Sequence, residues 1–140
     1  MSTYNYNLMK LQDQYHKNCI FNSNEFITEY YFNDDGSFVL QFFCNKKYQG
    51  YDGIMHGGMI SSLIDSAMTK CLFGHGVKAY TVRLNIKYIR PVKVNNKITI
   101  IVNIMDNKSD IITALCANLL QNGQKMIKAD AKFWILKSYD

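Results

Sequence analysis

Short β-rich runs bounded by turn residues make up much of this chain, and a single long apolar stretch of helical period interrupts them. Before residue 24 the sequence is polar and Asn-rich. Leu8, Leu11 and Tyr15 recur there at helical spacing, which predicts a short amphipathic helix lying on the body of the protein. Two β-rich runs follow, Phe26 to Phe32 and Phe38 to Phe43, separated by Asp34-Asp35-Gly36-Ser37, and Asp-Gly between such runs predicts a hairpin. From about Gly57 to Phe73 the pattern is that of one long helix, broken after it by Gly74 and Gly76. Three further strands are expected over Tyr80 to Ile89, Lys97 to Met105 and Ile111 to Leu120. A last one, Lys125 to Leu136, is entered through Asn122-Gly123, a strong hairpin signal. Pro91, the only proline, ends the strand before it and belongs outside the ladder.

Hairpin, long helix and strand meander together predict an α+β domain with a mostly antiparallel sheet. Met59, Ile60, Leu63, Ile64, Ala67, Met68, Cys71 and Leu72 occupy more than one helical stripe, as expected when a sheet curls around a helix and buries it on several sides. With 140 residues, 48% of them hydrophobic, one domain over 1–140 is expected, residues 1–24 forming an N-terminal helical extension. No segment has the pattern of a signal peptide, and no apolar run is long enough for a membrane span, so a soluble, cytoplasmic protein without a membrane partner is expected. Cys19, Cys44, Cys71 and Cys116 are scattered without a Cys-x-x-Cys pair, which predicts reduced structural thiols and no metal site. The net charge of +5 is spread along the chain and is densest at Lys87, Arg90, Lys93 and Lys97. An anionic partner is permitted, but no aromatic-basic motif or reading helix points to nucleic acid.

The candidate chemistry lies at the mouth of the long helix. Gly58, Ser61, Ser62, Asp65, Ser66 and Thr69 recur three or four residues apart and form a narrow stripe of small polar residues, uninterrupted by Lys or Arg before Lys70. A solvent-facing stripe would carry longer charged residues, so this one reads as a cleft wall or a contact with a second subunit. Its lone carboxylate, Asp65, could attack an acyl carbon or deprotonate a water. The backbone N–H groups of Gly57 and Gly58, at the positive end of the helix, could stabilise the oxyanion, and glycine permits close approach of substrate. His56 could orient this loop or donate to the carbonyl. Asp65 lies roughly 10 Å beyond the helix start at 1.5 Å per residue. That separation is long for one small carbonyl and suggests donors from one subunit meeting the acid of another across a two-fold axis.

His56-Gly57-Gly58 with Asp65 nine positions after the histidine, followed by Thr81-Val82-Arg83-Leu84-Asn85-Ile86-Lys87-Tyr88-Ile89-Arg90-Pro91-Val92, resembles the hotdog-fold acyl-CoA thioesterases of the phenylacetic-acid-degradation type. The resemblance covers about residues 26 to 136 in order of elements, and it is carried by the His-Gly-Gly-plus-acid motif together with the Tyr-x-x-Pro strand end. It implies an antiparallel sheet curled around one long central helix and hydrolysis of an acyl-CoA to the free acid and coenzyme A. No cofactor is implied beyond the coenzyme A carried by the substrate. In the site it implies, Asp65 is nucleophile or general base, the Gly57 amide polarises the thioester carbonyl, His56 assists and Thr81 places the water or the acid. Gln49, Gly58, Ser62, Thr69 and Arg90 would contact substrate, with Arg90 and Lys87, Lys93 and Lys97 suited to the coenzyme A phosphates. A homodimer or homotetramer is implied, its sites shared between subunits.

One departure stands out. Many members of that family carry Asn or Gln six residues before the histidine, where this chain has Gly50, with Gln49 one residue further back. The alternative is therefore a hotdog protein that binds or senses acyl-CoA or a fatty-acyl group without turning it over, with Asp65 a buried acid held by Ser62, by Thr69 or by the next subunit.

Overall fold

The structure, a computed structural model, describes residues 2–19, 21, 28–105 and 109–136. Helix α1 (Thr3–Tyr15) starts at Ser2, whose hydroxyl accepts from the Asn5 amide at 3.2 Å and so satisfies one otherwise orphan donor. Strands β1 (Thr28–Phe32) and β2 (Phe38–Cys44) form the expected hairpin, with Gly36 supplying a positive φ of 86° at the turn. Phe26 and Ile27, expected to begin the first of these strands, lie outside the described residues. A short 3-10 turn (Lys46–Tyr48) leads to the long helix α2 (Gly57–Gly74). Then come β3 (Ala79–Tyr88), β4 (Asn96–Ile104), β5 (Ile112–Gln121) and β6 (Gln124–Ile135). Asn122 and Gly123, with φ of 52° and 73°, close the last hairpin as that dipeptide predicts.

The six strands form one antiparallel sheet in the order β1-β2-β4-β5-β6-β3. Period two sorts the residues of β5, and most of those of β6, between two faces. On β6, Ile127, Ala129, Ala131 and Phe133 are buried while Lys128, Asp130, Lys132 and Trp134 are exposed. The inward set meets α2, whose Ile60, Leu63, Ile64, Ala67, Met68, Cys71 and Leu72 are all buried in one core, so the sheet wraps the helix. Cys44 and Cys71 belong to that core, and burial pushes their thiols up to about 11 and about 12. Helix α1 covers the C-terminal half of α2. Leu8 is buried there, the Lys70 ammonium donates to Gln12 Oε1 at 2.7 Å, and Asn7 donates to the Gly74 carbonyl at 3.2 Å.

Two local features position the site. The first is a β-bulge in β3 between Thr81 and Arg83. Cross-strand partners share a face, and Thr81, Leu84, Ile86 and Tyr88 pair with the buried Phe133, Ala131, Ala129 and Ile127. Thr81 is odd-numbered and the other three are even, so all four can face α2 only because the bulge inserts one extra residue. The second is the anchoring of the loop before α2 to the segment after Pro91. Met55 N–H donates to the Val92 carbonyl at 2.8 Å and Val94 N–H to the Gly53 carbonyl at 3.0 Å. The buried Gln121 amide holds Lys93 from both sides, accepting from its N–H at 2.9 Å and donating to its carbonyl at 2.8 Å. Strand β3 pairs with β6 on one side, and among the described residues no strand covers its other edge, where Tyr80 and Val82 stand exposed.

Candidate active site

His56 begins α2 as its N-cap. Its backbone N–H donates to the Tyr48 carbonyl at 2.7 Å, and its ring turns back over the helix so that Nδ1 accepts from the Gly58 amide at 2.9 Å. An accepting Nδ1 leaves the proton of the neutral ring on Nε2. The Gly58 amide, expected to be a free donor, is thus engaged by His56. The ring sits close over the glycine: a Cβ at position 58 would stand 3.0 Å from His56 Cε1 and 3.1 Å from Nδ1.

Gly57 differs. Its N–H is the first of the helix, the intrahelical ladder starts with Ile60 N–H on the His56 carbonyl at 3.1 Å, and the Gly57 amide has no acceptor among the described residues. Its carbonyl accepts from the Tyr88 hydroxyl at 2.8 Å. A Cβ at position 57 would lie 3.6 Å from the Tyr88 ring, an ordinary contact. A cavity of about 320 Å³ opens beside this amide, lined by Gly50, Tyr51, Met55, His56 and Gly57. Larger hollows of about 440 Å³, around Phe43 and Lys97, and about 810 Å³, on α1 around Met9, contain no residue of α2 and hold no part of the polar stripe.

Asp65 lies two turns further along α2, half-buried, its Oδ1 accepting from the Thr81 hydroxyl at 2.6 Å. Oδ2 has no partner among the described residues, which leaves a carboxylate fixed through one oxygen and open at the other. Gly57 and Asp65 are eight positions apart, about 12 Å along the axis at 1.5 Å per residue. The hydroxyls of Ser62 and Thr69, expected beside substrate or beside the acid, donate to helix carbonyls and not to the Asp65 carboxylate. The Ser62 hydroxyl donates to the Gly58 carbonyl at 2.9 Å, and the Thr69 hydroxyl donates to the Asp65 carbonyl at 3.0 Å from a buried position. Thr81 holds the carboxylate where Ser62 or Thr69 was the alternative.

Gln49 is tied into its own loop, its Oε1 accepting from the Gly53 amide at 3.1 Å. A Cβ on Gly50 would meet His56 Cα and Cδ2 at 3.4 Å, so a side chain there would grow against the His56 ring at the cavity wall. Exposed Arg90 donates to the Lys125 carbonyl at 3.0 Å. The expected basic cluster is divided: Lys87 is on β3 and Lys97 on β4, with β5 and β6 between them. Two residues near the site received no role from sequence. Tyr88 was visible only as part of the Tyr-x-x-Pro strand end. His16, at the end of α1, lies within the electrostatic reach of Asp65. Burial, and after it the charge of Lys70, lowers the His16 pKa, against an opposing pull from Asp65.

A single long helix wrapped by one antiparallel sheet defines a hotdog fold, and this one carries a glycine amide open at the helix mouth and a hydroxyl-held carboxylate two turns in. The sequence model of the thioesterase superfamily matches residues 52–134, more than half of the chain, and the chain belongs to that superfamily. No curated protein matches it. Among solved structures it is similar to the E. coli PaaI protein from the phenylacetic acid degradation operon, with 14% identity, a TM-score of 0.81 and 98% of each chain covered. It is also similar to the smu.793 protein of Streptococcus mutans UA159 bound to acetyl CoA, with 19% identity, a TM-score of 0.75, and 89% of this chain and 98% of that one covered. A third match, a thioesterase superfamily protein, has 22% identity and a TM-score of 0.70 over 77% of this chain, which spans about half, 55%, of that protein's length. At these identities the likeness shows the fold. No helix among the described residues is long and apolar enough to cross a membrane.

Proposed function

We propose that this protein hydrolyses an acyl-CoA, water and the thioester giving the free acid and the coenzyme A thiol. The observation that carries the reading is the Asp65 carboxylate, held by Thr81 at 2.6 Å with its second oxygen open, on the same helix that presents the unengaged Gly57 amide. In this reading Asp65 attacks the acyl carbon or takes a proton from the attacking water, and the Gly57 N–H stabilises the oxyanion. His56 holds the loop from which that N–H projects. Coenzyme A as the thiol carrier is supported by the acetyl CoA bound to the Streptococcus mutans protein of the same fold.

The working unit in this reading is a homodimer, or a tetramer built of two dimers. The separation of about 12 Å between donor and acid is too long for one carbonyl. The uncovered edge of β3, with Tyr80 63% and Val82 56% exposed, supplies a surface for a second copy. The Gly57 amide of one subunit then faces the Asp65 of its mate. A second reading, acyl-CoA binding without turnover, is favoured by one observation: the position six residues before His56 is glycine, and the Gln49 amide oxygen is already taken by Gly53.

Thiol release measured over short, medium, long and aromatic acyl-CoAs, with binding followed by calorimetry, separates the two. Hydrolysis of at least one class, lost on mutation of Asp65, is the expected result. Saturable binding with no thiol released over hours would establish the second reading.

A further inference from the structure

The Tyr88 hydroxyl donates to the Gly57 carbonyl at 2.8 Å, and the His56 ring accepts from the Gly58 amide at 2.9 Å. These two groups, the C=O of Gly57 and the N–H of Gly58, are opposite ends of one peptide plane. That plane is therefore gripped from both sides, by a side chain of β3 and by the N-cap of α2. The adjoining peptide carries the Gly57 N–H beside the cavity, and its direction follows from the torsions at Gly57. The His56 carbonyl at the other end of that peptide accepts from the Ile60 N–H at 3.1 Å, and the grip on the Gly57–Gly58 plane adds a second constraint across the glycine torsions, the least restricted in the chain.

We propose that Tyr88 is a positioning residue of the acyl-transfer site: by fixing the Gly57–Gly58 peptide it aims the Gly57 N–H at the oxyanion. This rests on the hydrolase reading above and adds to it a residue that touches neither the acid nor the carbonyl. The bulge in β3 is part of the same device. Thr81 and Tyr88 are seven residues apart and would fall on opposite faces of a regular strand, yet one reaches Asp65 and the other Gly57. The extra residue lets a single strand hold both the acid and the donor of α2. Tyr88 is half exposed, at 49%, and neither its hydroxyl nor its ring belongs to the buried core. A purely structural need for the hydroxyl would therefore be weak.

The test is Tyr88→Phe, which keeps the ring wall beside Gly57 and removes only the hydroxyl. With the best acyl-CoA found for the wild type, kcat is expected to fall roughly tenfold, part of the 10²–10³ that a whole oxyanion donor is worth, while KM changes less than about threefold. Amide hydrogen exchange at Gly57 and Gly58, read by NMR, is expected to quicken in the variant, with core amides of β5 unchanged. An unchanged kcat in a Tyr88→Phe variant of an active wild type would overturn the role of Tyr88 alone. A folded wild type that hydrolyses no acyl-CoA would overturn the hydrolase reading itself.

Discussion

Gly57 and Gly58 are adjacent glycines at one helix start, yet the surroundings of their missing Cβ atoms assign them different tasks, and alanine at each position separates the two. At Gly58 the added Cβ would stand 3.0 Å from His56 Cε1 and 3.1 Å from Nδ1, so the imidazole must shift by a few tenths of an ångström and the cap at 2.9 Å is weakened, at the limit lost. Losing a side-chain N-cap costs about 0.5–2 kcal/mol, and alanine in place of glycine within a helix returns about 0.5–1 kcal/mol. The net stability change of Gly58→Ala then lies between a gain of about 0.5 and a loss of about 1.5 kcal/mol, and the variant stays folded. The His56 side of the peptide grip is weakened, however, while Tyr88 keeps the other, and a misdirected oxyanion donor lowers kcat by about tenfold, part of the 10²–10³ of a donor removed outright. At Gly57 the added Cβ meets the Tyr88 ring at 3.6 Å, the N–H is kept, and the same alanine gain applies. Gly57→Ala is expected to be as stable as wild type or slightly more so, with kcat within about threefold. Urea unfolding and thiol release on both variants check this. A greater loss of activity in Gly57→Ala than in Gly58→Ala would contradict this division of tasks and would mean that glycine at 57 is needed for substrate approach.

Gly74→Ala would place a Cβ 2.1 Å from Phe32 Cζ, and that ring is confined by stacking on Tyr4 and by contact with Phe38, so a loss of about 1–3 kcal/mol is expected as a lower urea midpoint at unchanged slope. For His16, burial and then Lys70 hold the folded-state pKa below its ordinary 6.5, so the folded state resists protonation. Above 6.5 the residue is neutral folded or unfolded and contributes no pH dependence; as pH falls below 6.5 the unfolded state binds the proton first and stability is lost. Unfolding midpoints at pH 7.5 and 5 should diverge less in His16→Gln than in wild type, and an equal loss in both would contradict the assignment.

Much of the fold was legible because local chemistry and global pattern agree. Asn122-Gly123 dictated a turn of positive φ, the apolar stretch from Gly57 dictated a helix, and period two dictated which residues of β6 face it. The strand order β1-β2-β4-β5-β6-β3 was not legible, since it depends on long-range pairing that no local signal encodes. The site was legible as residue types and illegible as bonds. Thr81 and Asp65 could be singled out, but the bulge that turns both Thr81 and Tyr88 toward α2 leaves no mark on a sequence read at strict period two. Nor did the sequence reveal that His56 caps the helix, because histidine is not among the preferred N-cap residues and the contact depends on the space left by Gly58.

Asp65→Asn tests, with little change of shape, whether the Asp65 carboxylate does the chemistry proposed for it. Asparagine can still accept the Thr81 hydroxyl through its amide oxygen, so the contact at 2.6 Å has a successor, while the negative charge and the basic oxygen are gone. With the best acyl-CoA at saturating concentration, thiol release by the folded variant is expected to fall by at least about a hundredfold, general-base assistance alone being worth about 10²–10⁴. Release at the wild-type rate from a folded Asp65→Asn variant would contradict it.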